Sequence, residues 1–346
     1  MQYQMLPQLN EKVSKICLGT MTWGQQNTEI QAHEQMDMAL SEGVNFWDTA
    51  EMYPSPPDKD KQGDTERFMG TWFNKTKQRD KVILASKISP MDFLRDGQTR
   101  FNAEHISSAI DGNLQRLQTD YIDIYQLHWP ERQANFFSQL GYTEEMASQP
   151  LDDLTPFLET IQALNDEIKK GRIRAYGLSN DTAWGLMRYL WEADKNGLIA
   201  PITVQNPYSL LNRLYEVAMA EITHRENVGL LAYSPLGFGV LSGKYLDGKR
   251  PAGARLTMYD RFARYTNEQA LSATAQYAKI AEDAGLDMAQ MALAFVNSRS
   301  FVTSNIIGAT TIEQLKSNID SIHLILSSEV LEAIEAVHTQ HPNPSP

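Results

Sequence analysis

Cysteine is almost missing from the sequence: Cys17 is the single one in 346 residues. No intrachain disulfide can form, which fits a reducing compartment. An excess of positive charge is missing too. Lys and Arg number 31 against 43 Asp and Glu, a formal net charge of −12. That balance argues against nucleic acid and anionic membranes as partners. No apolar run is long enough to span a bilayer, and Met1–Lys15 lacks the apolar core of a signal peptide. A soluble, cytoplasmic protein is expected. There is no low-complexity linker and no repeat with a period of roughly 20–50 residues. One domain over residues 1–346 is therefore expected.

What is present is alternation. Short β-rich runs fall at Ile16–Gly19, Val44–Asp48, Val82–Lys87, Tyr121–Leu127, Ile173–Gly177, Ile202–Gln205, Val228–Ala232 and Asn305–Ile307. Amphipathic stretches separate them. Ile106, Ile110, Leu114 and Leu117 form one helical stripe, as do Leu158, Ile161, Leu164 and Ile168, and Leu315, Ile319 and Ile322. Eight uninterrupted β/α alternations predict an α/β fold, a closed (β/α)8 TIM barrel, with a doubly wound open sheet as the alternative. Helical stretches at Glu268–Ala284 and Glu329–Val337 are additional to the eight. The loops after strands are long, at residues 54–65, 89–102, 131–155 and 235–266, which predicts a deep pocket on the C-terminal face.

Polar residues stand where strands end: Asp48, Lys87, His128 and Asn180. Alternation puts Asp48 on the face of Phe46 and Val44, and Lys87 on that of Ala85 and Ile83. Tyr53, five residues past Asp48, can fold back over the same rim. A free phenol has a pKa near ~10. A lysine ammonium within about 4–6 Å favours the phenolate, and a buried lysine needs a partner such as Asp48. His128 can donate a hydrogen bond to a carbonyl oxygen and orient it. Together these residues describe a phenol set to protonate a carbonyl oxygen. Singly, each has a structural or solvated reading. The set carries weight because its members end three consecutive strands on one rim.

The stretches Gly43–Tyr53, Ala85–Lys87 and Leu117–Pro130 resemble the aldo-keto reductase superfamily, and the likeness runs from Val13–Met21 to Glu329–Val337. Asn206–Arg213 and Gly308–Thr311 are similar to the bacterial Tas-type members. The resemblance implies a (β/α)8 barrel with an N-terminal hairpin and two extra helices. It also implies a catalytic tetrad of Asp48, Tyr53, Lys87 and His128, with Tyr53 as general acid in the NADP(H)-dependent reduction of aldehydes or ketones to alcohols.

Cofactor contacts follow from the same resemblance. Gly19, Thr20, Met21 and Asp48 match its first contacts, Ser179, Asn180 and Gln205 the carboxamide-holding residues, and Tyr233 the residue that stacks on nicotinamide. Ser234, Pro235, Leu236 and Gly237 match the pyrophosphate segment. Gly308, Ala309, Thr310, Gln314 and Asn318 match the adenosine end, where backbone N–H groups can face a phosphate. Many members carry lysine where Gly308 stands, arginine at Gln314 and glutamate at Ser317. With those missing, Lys244 and Arg255 are expected to supply the charge for NADP(H), and NAD(H) is the alternative.

Trp23, Tyr53, His128 and Trp129 are expected to line the pocket for a small-molecule carbonyl substrate, although either tryptophan could instead be packing. The 131–155 loop is apolar enough to cover the pocket or to pack on another subunit, which leaves oligomeric state open. A different class of function, a cofactor-bound redox-sensing or partner-binding module with little turnover, is compatible with the same residues. A metal-dependent barrel hydrolase would need a ligand cluster such as His-x-His after the first strand. Met21-Thr22-Trp23 stands there instead, and no metal is expected.

Overall fold

The computed structural model describes residues 1–6, 8–90, 100–259 and 264–346. Parts of two long loops noted above, residues 91–99 and 260–263, lie outside the described residues. Two short strands, β1 (Tyr3–Leu6) and β2 (Glu11–Ser14), form an antiparallel hairpin. Eight parallel strands then close a barrel in the order β10-β3-β4-β5-β6-β7-β8-β9. They are β3 (Ile16–Gly19), β4 (Phe46–Asp48), β5 (Ile83–Ile88), β6 (Ile122–Leu127), β7 (Ile173–Ser179), β8 (Thr203–Pro207), β9 (Gly229–Tyr233) and β10 (Val302–Ile307). The closed barrel removes the open-sheet alternative.

Each barrel strand is mostly buried on both faces, which explains the near-continuous apolar runs. Inward side chains, among them Cys17, Phe46, Ile83, Ala85, Ile124 and Leu231, fill the barrel. Leu6, Leu9 and Val13 of the hairpin join that cluster, so the hairpin plugs one end. Outward residues such as Ile16, Leu18, Trp47 and Leu84 pack under the helices. Val44 belongs to this outer cluster, because β4 begins only at Phe46. Alternation holds within the strand itself: Phe46 and Asp48 face in, and Trp47 faces out.

Among the described residues the α-helices are α1 (Glu29–Ser41), α2 (Asp64–Thr76), α3 (Ala103–Leu117), α4 (Glu144–Ser148), α5 (Phe157–Lys169), α6 (Ala183–Lys195), α7 (Met219–Glu226), α8 (Arg255–Met258), α9 (Glu268–Asp283), α10 (Met288–Asn297), α11 (Ile312–Asp320) and α12 (Ser328–Gln340). Their stripes are buried as the spacing requires. Ile106, Ile110 and Leu117 of α3, Ile161 and Leu164 of α5, and Leu315 and Ile319 of α11 pack on the barrel. Asn102 and Thr311 cap α3 and α11 through side chains that accept from backbone N–H groups. Two helices are additional to the eight units: α9 (Glu268–Asp283) precedes the barrel helix α10, and α12 (Ser328–Gln340) packs on α9.

Candidate active site

Strand register assembles the rim. Asp48 stands beside Gly19 and Ala85, Lys87 beside Gln126, and Gln205 beside Ser179. Inward side chains at the C-terminal ends therefore meet on one level. Lys87 Nζ donates to Asp48 Oδ2 at 2.6 Å and to the Thr49 carbonyl at 2.7 Å. The other carboxylate oxygen, Asp48 Oδ1, accepts from Gln205 Nε2 at 2.8 Å and Gln126 Nε2 at 3.1 Å. Asp48 and Lys87 are buried, so each charge needs these partners.

The turn after β4 is laced to β5, which folds Tyr53 back over the rim. Thr49 N donates to the Ala85 carbonyl, Glu51 N to the Lys87 carbonyl, and Tyr53 N to the Ala50 carbonyl. The Tyr53 ring then lies 4.9 Å from Lys87 Nζ and meets His128 edge-on at 5.7 Å. Burial first, and then the Asp48 carboxylate, push the Tyr53 phenol well above its ordinary pKa, while Arg255 pulls it back. The expected lowering by Lys87 does not prevail. The ammonium is held by the Asp48 carboxylate at 2.6 Å, and burial together with that carboxylate outweighs it.

His128 follows β6, with its N–H donated to the Ile88 carbonyl at 2.9 Å. Its ring is buried, and burial followed by the Lys87 charge holds its pKa well below the ordinary value. It is neutral at physiological pH. The His128 carbonyl accepts from Asn180 Nδ2 at 2.9 Å, and Asn180 Oδ1 accepts from the Tyr233 hydroxyl at 2.6 Å. Asn180 adopts a left-handed backbone, φ 52°, which turns its amide back over the rim.

Above these groups opens a cavity of about 1080 Å³. Asp48, Tyr53, His128 and Trp129 line it, while Lys87 lies beneath its wall. Gly19–Met21, Asn180 and Gln205 line the same cavity. So do Tyr233–Leu236, Lys244, Arg255, Gly308–Thr310, Gln314 and Asn318. Three expected contacts are not in the lining. Ser179 is buried, with its Oγ accepting from Asn180 Nδ2 at 3.1 Å. Gly237 lies under the ring of Tyr265. The Trp23 indole is fully buried and donates to Gln35 Oε1 at 3.1 Å, so it is a packing residue outside the pocket.

Several residues that line or brace the site are not among those expected from the sequence. Gln126 and Ser89 read as strand and loop residues. Arg264 and Phe238 come from the long loop after β9. The Arg264 guanidinium stacks 5.4 Å from the Phe238 ring and 4.9 Å from Tyr265, and its charge acts on the Tyr233 phenol. Phe136 and Phe137 bring the 131–155 loop to the cavity, with Phe137 edge-on to Trp129 at 5.9 Å.

Electrostatics and backbone suit an anionic group at the far end. Burial and the neighbouring Arg255 lower the Lys244 pKa, and Lys244 has no carboxylate partner among the described residues. Burial is also the largest influence on Arg255, whose guanidinium stacks 5.1 Å from Phe238. A Cβ at Gly308 would meet nothing within 4 Å, so packing does not require glycine there. Gln314 Oε1 accepts from Thr310 N at 3.0 Å and from Thr310 Oγ1 at 3.1 Å. Asn318 Nδ2 donates to the Gly308 carbonyl at 3.1 Å and fixes that turn.

Comparison with known proteins matches residues 15–339 to the model of the aldo/keto reductase family. The chain is 49% identical to Protein tas of Escherichia coli (strain K12), with all of both chains aligned. It is 31% identical to the uncharacterized oxidoreductase YrpG of Bacillus subtilis (strain 168), covering 97% of this chain and 96% of that one. A probable voltage-gated potassium channel subunit beta of Oryza sativa subsp. japonica is 29% identical over 99% of this chain and 98% of its own.

Proposed function

The chain belongs to the aldo/keto reductase family of oxidoreductases, and on that premise we propose that it reduces aldehyde or ketone carbonyls to alcohols with NADP(H), Tyr53 being the proton donor. The observation that carries this reading is the joining of Asp48, Tyr53, Lys87 and His128 at one wall of a cavity of about 1080 Å³.

The cavity suits a dinucleotide in three respects: its volume, the open space at Gly308, and the two cations Lys244 and Arg255 in its lining. Asn180 and Gln205 would hold the carboxamide, Tyr233 would lie against the nicotinamide, and Ser234–Leu236 and Gly308–Thr310 would face the phosphates. Lys244 and Arg255 favour the 2′-phosphate of NADP(H), and their loss would leave NAD(H) as usable. When bound, the cofactor supplies the hydride that reaches the carbonyl carbon.

The remaining work falls to this chain. His128, held neutral, donates a hydrogen bond to the carbonyl oxygen and fixes its direction. Tyr53 starts protonated, because burial and Asp48 raise its pKa. It gives that proton to the oxygen as negative charge develops there. The phenolate left behind is then stabilised by Lys87, whose ammonium Asp48 holds in place. Trp129, Phe136 and Phe137 form one apolar side of the mouth.

The test is steady oxidation of NADPH by the purified chain with a panel of aldehydes. Sustained turnover supports the enzyme. The second reading, a cofactor-bound partner-binding module, is favoured by the relative named as a channel subunit. Tight cofactor retention with negligible turnover on every aldehyde would support it instead.

A further inference from the structure

Ser89 follows β5, two residues beyond Lys87, and does not line the cavity. Its Oγ lies 3.1 Å from His128 Nδ1. Its backbone N–H donates to Glu51 Oε1 at 2.8 Å. Glu51, Ser89 and His128 are all buried. We propose that Ser89 is a positioning residue for His128: its hydroxyl donates to Nδ1 and keeps the single ring proton on Nε2, the nitrogen available to a carbonyl in the cavity.

The direction of this bond follows from counting protons. A neutral imidazole carries one N–H, and the nitrogen that bears it is set by the partner of the other. Burial and the Lys87 charge keep His128 neutral. A serine hydroxyl can donate once and accept twice. If Nδ1 bore the ring proton and donated to Ser89, the hydroxyl proton would need a second acceptor. Among the described residues Ser89 Oγ has no other partner, and the residue is shut off from solvent. That tautomer buries an unsatisfied donor. With the hydroxyl donating to Nδ1, one bond satisfies both groups and Nε2 bears the proton. Glu51 holds the other side: by accepting the Ser89 N–H, it keeps the hydroxyl within reach of the ring. The chain Glu51–Ser89–His128 thus orients the imidazole from behind, as partners behind metal-bound histidines do.

The catalytic meaning rests on the carbonyl-reductase reading, but the tautomer does not. The test is therefore made on both. In the full chain with 15N-labelled histidine, long-range 15N–1H correlation reports which ring nitrogen is protonated, and His128→Asn identifies the His128 signal. Wild type should show Nε2–H. Ser89→Ala should lose that single form, and kcat/KM for aldehydes should drop roughly ten- to hundredfold with NADPH Kd within about twofold. Ser89→Thr should restore both tautomer and rate. Wild-type His128 protonated on Nδ1 would overturn the proposal even if Ser89→Ala failed to fold. So would a folded Ser89→Ala that keeps Nε2–H. An absence of turnover in wild type would sink the reductase reading alone and leave the NMR result to decide Ser89.

Discussion

Lys87→Met removes one charge from a buried pair and keeps most of the side-chain volume. In wild type the ammonium satisfies Asp48 Oδ2 at 2.6 Å and the Thr49 carbonyl at 2.7 Å. The variant leaves Asp48 with its two glutamine donors, both on Oδ1. Breaking a buried pair from one side costs about 3–5 kcal/mol. The orphaned carboxyl responds by holding a proton, because burial disfavours its charged form. That response gives the loss a pH signature. The unfolded aspartate ionises near ~3.9, while the folded variant keeps its proton to higher pH. Between those values the folded state binds more protons than the unfolded one, so stability falls as pH rises. Urea denaturation should therefore show a small loss near ~pH 5 and most of the 3–5 kcal/mol near ~pH 8. Adding Asp48→Asn should recover part of the loss at the higher pH. An equal, small loss at both pH values would refute the reasoning, because it would mean that no buried charge depends on Lys87.

Two other outcomes follow from the same electrostatics. His128 stays neutral in the fold, with its pKa depressed from the ordinary 6.5 by burial and Lys87. Below that value the unfolded chain takes up a proton that the folded chain refuses, so stability falls as pH drops through 6.5. His128→Asn should flatten this part of the slope in denaturation from roughly pH 7 to 5, and an unchanged slope would contradict a neutral buried ring. Lys244→Ala or Arg255→Ala should weaken NADPH binding by roughly tenfold or more while changing NADH much less, measured by fluorescence titration, since one charge-assisted contact contributes about 1.5–3 kcal/mol. Equal weakening of both cofactors would remove these cations from the 2′-phosphate.

Much of the site can be read from the chain because strands have a period of two. Phe46 and Asp48, and Ile83, Ala85 and Lys87, share inward faces, and a strand-end position puts the last polar residue in the barrel mouth. Gln126 has the same signal: it is polar, inward and in register with Lys87. Its apolar neighbours Tyr125 and Leu127 mask that signal in the sequence. Trp23 shows the limit. Four residues past a strand nothing in the sequence tells whether a side chain turns toward the cavity, and this one packs in the outer shell with its indole on Gln35. Arg264 and Phe238 are harder still. They reach the cavity through a long loop whose path has no period, and only their packing on Tyr265 reveals them. The Tyr53 pKa is not legible in the sequence for a different reason. Charge spacing suggests that Lys87 lowers it, but burial and the prior pairing of Lys87 with Asp48 outweigh that effect.

The most direct measurement is the single-turnover rate of aldehyde reduction by Tyr53→Phe. A positioned general acid contributes roughly 10²–10⁴-fold. The rate should fall by that factor, with NADPH Kd within about twofold of wild type, because the substitution removes one hydroxyl and leaves the ring against Lys87 and His128. A rate retained within a few-fold would show that the proton comes from elsewhere.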